Sequence, residues 1–130
     1  MLIKHQSDHK VVESKWCGEI REILRGDEYS PNVAIAIDIR VTIPHFHRTF
    51  EEVYFVLDGS LELALHDPST GRTWKETLGP NELCVISRNV HHGVTAASEK
   101  NRLCVLTVPR FDARDETTSD VLGADTAAVA

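Results

Sequence analysis

The sequence has no Cys-x-x-Cys pair, no glycine-rich phosphate loop and no apolar run near the roughly 18 residues that a membrane span needs. Its three cysteines, Cys17, Cys84 and Cys104, are an odd number. They fit reduced core or pocket thiols better than a disulfide framework, and so point to a cytoplasmic setting. The N-terminal MLIKHQSDHK lacks the apolar stretch of a signal peptide, so the chain reads as soluble and unexported. Positive charge is also scarce: 14 Lys and Arg stand against 20 Asp and Glu, a net −6, and the basic residues are scattered rather than striped. A nucleic-acid surface is not expected. No stretch keeps a helical period, no segment repeats, and no attached DNA-binding helix is visible.

What is present is ordinary globular composition, 42% apolar and 26% charged over 130 residues, enough for one domain with its own core. From Glu19 onward, short β-type runs alternate with turn residues. Strands are predicted over 19–25, 33–41, 52–57, 60–66, 72–78, 83–87, 92–96 and 102–108. Asp58-Gly59 reads as a tight hairpin, 67–71 and 79–81 are Pro/Gly/Asn breaks, and Asn89 suits a left-handed turn. The expected architecture is an all-β sandwich or barrel over 19–111, preceded by an N-terminal arm (1–18) and followed by an acidic, flexible tail (112–130). The tail holds five acids and one base, and no catalytic part is expected of it.

Four of the seven histidines fall in two groups, His45-Phe46-His47 and His91-His92. On an extended backbone, side chains two apart share a face at roughly 6–7 Å between Cα atoms, so His45 and His47 can converge on one ion. Glu52, at the head of EVYFVL, can return a carboxylate beside them, and His92 can complete the set from a later strand. Two parities stay open. Glu51 competes with Glu52, because Val53, Phe55 and Leu57 form the more apolar face and simple alternation would send Glu52 outward unless both faces are covered. Of His91 and His92 only one can point inward; His92 is preferred, with His91 exposed or at a pocket rim.

His45-x-His47-x4-Glu52-x6-Gly59 resembles the first motif of the cupin superfamily, HxH(x)3–4E(x)6G. The second motif, G(x)5PxG(x)2H(x)3N, is matched in spacing: Asn81, Ser87 and Asn89 take the places of its glycine, proline and glycine, and His92 lands on its histidine. Ala96 replaces the final asparagine, and Ile39 the glycine expected before His45. The resemblance, over about 33–109, implies a double-stranded β-helix, or jelly-roll barrel, holding one divalent metal ion on His45, His47, Glu52 and His92. Fe2+ is the first choice, with Mn2+, Ni2+, Zn2+ or Cu2+ as others. It further implies an enzyme of small organic substrates, first a mononuclear Fe(II)-type dioxygenase, otherwise an isomerase, epimerase, cyclase or lyase, or a non-catalytic small-molecule-binding cupin. Small cupins often pair through an exposed sheet, so a homodimer is expected.

Tyr54 shares parity with Glu52 and is a pocket candidate, able to hydrogen-bond substrate. Its alternative is a packed barrel tyrosine. Arg21 and Arg25 read as solvated strand residues, Arg40 as half of an exposed ion pair with a pocket carboxylate-binding group as its alternative, Cys84 and Cys104 as small core hydrophobes, and His5, His9 and His66 as surface histidines. Trp16, Trp74 and Phe46 are expected in packing or subunit contacts.

Overall fold

A computed structural model describes residues 1–123 of the chain. After a single 3-10 turn (Gln6–Asp8) come eleven strands: β1 (Lys10–Ser14), β2 (Gly18–Leu24), β3 (Asn32–Ile37), β4 (His45–Phe46), β5 (Glu51–Asp58), β6 (Leu61–Asp67), β7 (Arg72–Leu78), β8 (Leu83–Ile86), β9 (His91–Ala97), β10 (Arg102–Val108) and β11 (Thr117–Thr118). They form two antiparallel sheets, a six-stranded one in the order β1-β2-β3-β10-β5-β8 and a five-stranded one in the order β11-β4-β9-β6-β7. This is the expected all-β jelly-roll barrel. Among the described residues no helix is long and apolar enough to cross a membrane.

The two sheets bury Val56, Leu61, Leu63, Leu65, Ile86 and Leu103 between them. Period-2 alternation puts Leu61, Leu63 and Leu65 of β6 on the inner face, and Glu52, Tyr54 and Val56 of β5 opposite, all buried. The apolar trio Val53, Phe55 and Leu57 therefore faces outward and is only half-buried. The pattern that argued against Glu52 is thus real. The more apolar face of β5 is the outer one, because the inner face lines a polar site as well as the core.

Turn chemistry carries the topology. Gly59, Asn81 and Asn89 adopt φ of 78°, 67° and 69°, so the two asparagines take the left-handed turns in the place of glycines. At Gly59 space forbids a side chain as well: a Cβ there would lie 2.3 Å from the Lys100 carbonyl oxygen and 2.8 Å from Cβ of Asn101. Asn101, itself buried, accepts from the Ile39 amide at 2.9 Å and donates to the carbonyls of Ile39 and Ser98 at 3.0 Å each, tying the β3 exit to the β9–β10 loop.

The termini depart from expectation. The arm over 1–18 contributes β1, which pairs with β2 from Lys10↔Glu22 to Ser14↔Gly18 and extends the large sheet. Of the expected flexible tail over 112–130, residues 112–123 form a packed strap. Thr117 and Thr118 pair with Phe46 and His45, the Ser119 amide donates to the Pro44 carbonyl at 2.9 Å, and Leu122 is 1% exposed. Polar composition misled here, because the strap is held by hydrogen bonds to distant backbone rather than by an apolar face of its own. The rest of that segment, 124–130, lies outside the described residues.

Candidate metal centre

Both sheets contribute to one polar cluster. On the five-stranded side, His45 of β4 sits directly opposite His92 of β9, and His47 follows just beyond β4. On the six-stranded side, Glu52 is the second residue of β5, flanked by Thr107 of β10 and Ile86 of β8. One donor atom from each of His45, His47, Glu52 and His92 lies within 4.8 Å of all the others, and all four side chains are buried. The sequence had placed these same four residues together. His91, one residue away, points to the other face, but it is not exposed: its Nδ1 hydrogen-bonds Ser119 Oγ at 2.6 Å and its ring stacks on Phe46 at 4.2 Å, under the strap.

The hydrogen bonds on the far side of each ring decide what the cluster presents. Nδ1 of His45 meets the Ile43 carbonyl at 2.8 Å, Nδ1 of His47 the Asp115 carbonyl at 2.7 Å, and Nδ1 of His92 the Val90 carbonyl at 3.1 Å. A carbonyl only accepts, so each Nδ1 carries its proton and each neutral ring offers a lone pair at Nε2. Nε2 of His47 and of His92 then stand 2.7 and 3.2 Å from Glu52 Oε1, acceptor against acceptor unless a metal ion or, in the ion-free protein, a proton on the ring nitrogen lies between them. The short His47 approach is also misaligned for a hydrogen bond, which leaves His47 Nε2 buried without a partner. Nitrogen-rich donors, one carboxylate, rings already oriented by backbone carbonyls and an orphaned ring nitrogen fit a divalent cation.

Electrostatics follow from the same geometry. Burial, with His92 and His47 adding to it, holds His45 down at about 3. His47 moves the other way: burial opposes protonation, but the adjacent Glu52 carboxylate overcomes it. Glu52 is pulled well below the ordinary carboxylate range, since His47 and His92 outweigh its burial. In the ion-free protein the unfolded chain takes up a proton at His45 between pH 6.5 and about 3 that the folded chain refuses, so stability falls as pH drops through that window. His47, raised above 6.5, contributes stability that is complete below 6.5 and lost as pH rises through its folded value. Glu116, which burial lifts from 4.5 to about 7, works the opposite way and offsets His45 between pH 4.5 and 6.5, while the lowered Glu52 adds to the loss below 4.5. Chelator-treated protein is therefore expected to be about equally resistant to urea from pH 4.5 to 6.5 and weaker on either side, and His45→Phe should move the maximum down towards pH 4.5.

A cavity of about 590 Å³ runs from this cluster along the inner face of β2, β3 and β10. Tyr54 lines it, as parity predicted, with its ring edge-on to His92 at 6.0 Å. Burial first, then the Glu52 charge, keeps the phenol protonated. Four residues that sequence reading did not place here also line it: Trp16, its ring 4.8 Å from His45, Cys17, Thr107 and Glu116. Burial and the nearby Glu52 charge lift the Glu116 carboxyl to about 7, against the pull of His47, and burial pushes the Cys17 thiol to about 12. Only Thr107 had a legible signal, as the inward neighbour of Glu52 on β10.

No family model and no curated protein matches the sequence. Solved structures do match the fold. Bacillus subtilis oxalate decarboxylase superposes with a TM-score of 0.74 at 17% identity over 91% of this chain and 32% of its own, so this chain spans about a third of its length. A Streptomyces PAC13 variant solved with uridine gives 0.70 at 13% identity, covering 95% of this chain and 98% of its own. A protein from Planctomyces limnophilus gives 0.68 at 22%, covering 90% and 95%. The chain has the cupin fold. In this cupin barrel the two motif segments bring His45, His47, Glu52 and His92 to one point, with Asn81 and Asn89 standing where the pattern has glycines. Oxalate decarboxylase of Bacillus subtilis has Mn(II) centres, which accords with a divalent ion here and singles out no particular metal.

Proposed function

We propose that this cupin is a divalent-metal-dependent enzyme acting on a small organic substrate in the 590 Å³ cavity, with Fe(II)-type dioxygenation as the first reaction class. The observation that carries it is the convergence of three carbonyl-oriented imidazoles and one buried carboxylate at the inner end of that cavity. His45, His47, Glu52 and His92 would hold the ion, which when bound supplies Lewis acidity and, as Fe(II), electrons for O2. The protein's part is geometric and electrostatic. Ile43, Asp115 and Val90 fix the ring tautomers, Tyr54 keeps a hydrogen to donate, and the walls of Ile20, Ala36, Leu103 and Val105 keep water away. Fe2+ suits three nitrogens and a carboxylate, and Mn2+ comes next.

Glu116 supports a second reading, a lyase or isomerase. A half-buried carboxyl at about 7 is poised near neutral pH to give or take a proton. Metal analysis of tag-free protein, followed by oxygen uptake on the Fe(II)-loaded form with small acids, phenols and sugars, separates the readings. Substrate-dependent uptake supports the dioxygenase. Its absence alongside product formation supports the lyase or isomerase, and binding without turnover makes the protein a ligand-binding cupin. Unchanged metal stoichiometry in a His45→Ala/His92→Ala variant would sink the coordination itself.

A homodimer is part of the same proposal. On the outer face of the large sheet, Leu83, Phe55, Cys104 and Ile35 form one cross-strand row and Val85, Val53, Leu106 and Val33 the next. Leu83 and Val85 are 54% and 56% exposed, and a contiguous apolar face of this kind marks an association surface. Sedimentation should give a dimer that Val85→Lys converts to monomer with its fold intact. The free thiols support a cytoplasmic setting.

A further inference from the structure

We infer that the cavity takes a predominantly apolar small molecule with one hydrogen-bonding group and no negative charge, and that Glu116, with Glu22, excludes anions from it. The inference rests on the reading that this cavity is the substrate site, and it adds the class of molecule that fits.

Charge comes first. The lining includes four carboxylates, Glu13, Glu22, Glu52 and Glu116, against two side-chain cations, Lys15 and Arg25. Both cations are exposed, and Lys15 Nζ lies over the Trp16 ring at 4.9 Å. No lysine or arginine is buried anywhere among the described residues. Glu22 projects from β2 opposite Ala34 with no ion-pair partner among the described residues, and Glu116 faces the same space half-buried. An anionic ligand lying along the cavity would thus lose its hydration, meet like charge on two sides and find no buried guanidinium or ammonium in exchange.

Shape and polarity come next. The remaining wall is mostly hydrocarbon, from Ile20, Leu24, Ala36, Ile39, Leu103 and Val105, which calls for an apolar body. One polar atom in that wall is left over: Thr107 Oγ1 is buried, has no hydrogen-bond partner among the described residues, and sits on β10 directly opposite Glu52. An unpaired buried hydroxyl costs stability wherever a valine would fit. Beside the metal cluster it is suited to a ligand carbonyl, amide or hydroxyl. A compact dianion such as oxalate has no apolar body and carries the negative charge these walls reject, so the fold's likeness to oxalate decarboxylase does not carry that substrate with it.

A series of equal shape and different charge tests this: 2-naphthamide, 2-naphthamidine and 2-naphthoate, titrated calorimetrically into chelator-treated protein at about pH 8, where Glu116 is ionised. Chelation keeps the carboxylate from simply coordinating an ion. The amide and amidine should bind, and the naphthoate at least about tenfold more weakly. Glu116→Gln should close most of that gap without weakening the amide. Thr107→Val should weaken the amide about fivefold while leaving the melting temperature unchanged or higher, and Thr107→Ser should restore it. Naphthoate binding as tightly as the amide, a gap that survives Glu116→Gln, or no amide binding by about 1 mM would each overturn the inference. Ion binding is measured separately. A protein that binds an ion yet prefers naphthoate refutes the ligand class alone, whereas one that keeps the predicted order but binds no ion refutes the metal reading alone.

Discussion

A His47→Ala/His92→Ala variant should lose about 3–5 kcal/mol of stability without metal and bind any divalent ion at least about a hundredfold more weakly. The two losses have different causes, which makes them separable. Glu52 is 7% exposed, and its Oε1 has His47 Nε2 at 2.7 Å and His92 Nε2 at 3.2 Å as neighbours. Removing both rings leaves a buried carboxylate without its partners, and that desolvated charge is what unfolds the protein. Adding Glu52→Met removes the charge at similar volume, so urea denaturation of the triple variant should recover most of the stability. Ion affinity, read by competition with a coloured chelator, should not recover, since three of four donors are gone. If the triple variant stays as unstable as the double, the cost lies in lost packing around the rings, and the account of Glu52 as a charge held by imidazoles fails.

The four donors were legible because their spacing encodes a strand, a turn and a return, and those survive changes in the surrounding residues. Asn81 and Asn89 illustrate this. Where the cupin pattern has glycine, this chain needs φ of 67° and 69°, and asparagine reaches that region at lower cost than other non-glycine residues. Inward orientation was harder to read. Period-2 alternation tells which residues of β5 share a face but not which face is the interior. When the outer face is as apolar as Val53, Phe55 and Leu57, hydrophobicity alone picks the wrong one. Spacing to Gly59 selected Glu52 against that alternation, and Glu52 is 7% exposed; the spacing is informative because Gly59 sits where the Lys100 backbone leaves no room for a Cβ.

The two ends of the barrel were not legible. β1 is short and polar, and it is a strand because β2 offers an edge to pair with. The segment from Asp112 to Leu122 has the composition of a solvated tail, and the contacts of its Asp115 cross 66 to 68 residues of sequence. Nothing in a local window reports such pairings. Glu116 and Trp16, two of the cavity's lining groups, therefore came from segments that composition had set aside.

The strap has a measurable consequence at the metal cluster. Its Asp115 acts twice: the carbonyl accepts from His47 Nδ1 at 2.7 Å, and the carboxylate accepts from the amides of Arg48 at 3.0 Å and Thr49 at 2.7 Å and from the Thr49 hydroxyl at 2.6 Å. These bonds clamp the turn that leaves His47, and hold the carboxyl below its ordinary range despite its burial. Asp115→Ala should release the strap from that turn, cost about 1.5–3 kcal/mol and weaken ion binding by about ten- to a hundredfold, although Asp115 is no ligand. Asp115→Asn keeps an acceptor oxygen and should fall between the two. Hydrogen exchange at Thr117 and Thr118 supplies the control, because β11 is the pairing that holds the strap to His45 and Phe46. Faster exchange with undiminished ion affinity would show that His47 keeps its orientation without Asp115. Faster exchange together with weaker binding would place the strap inside the metal site's own support.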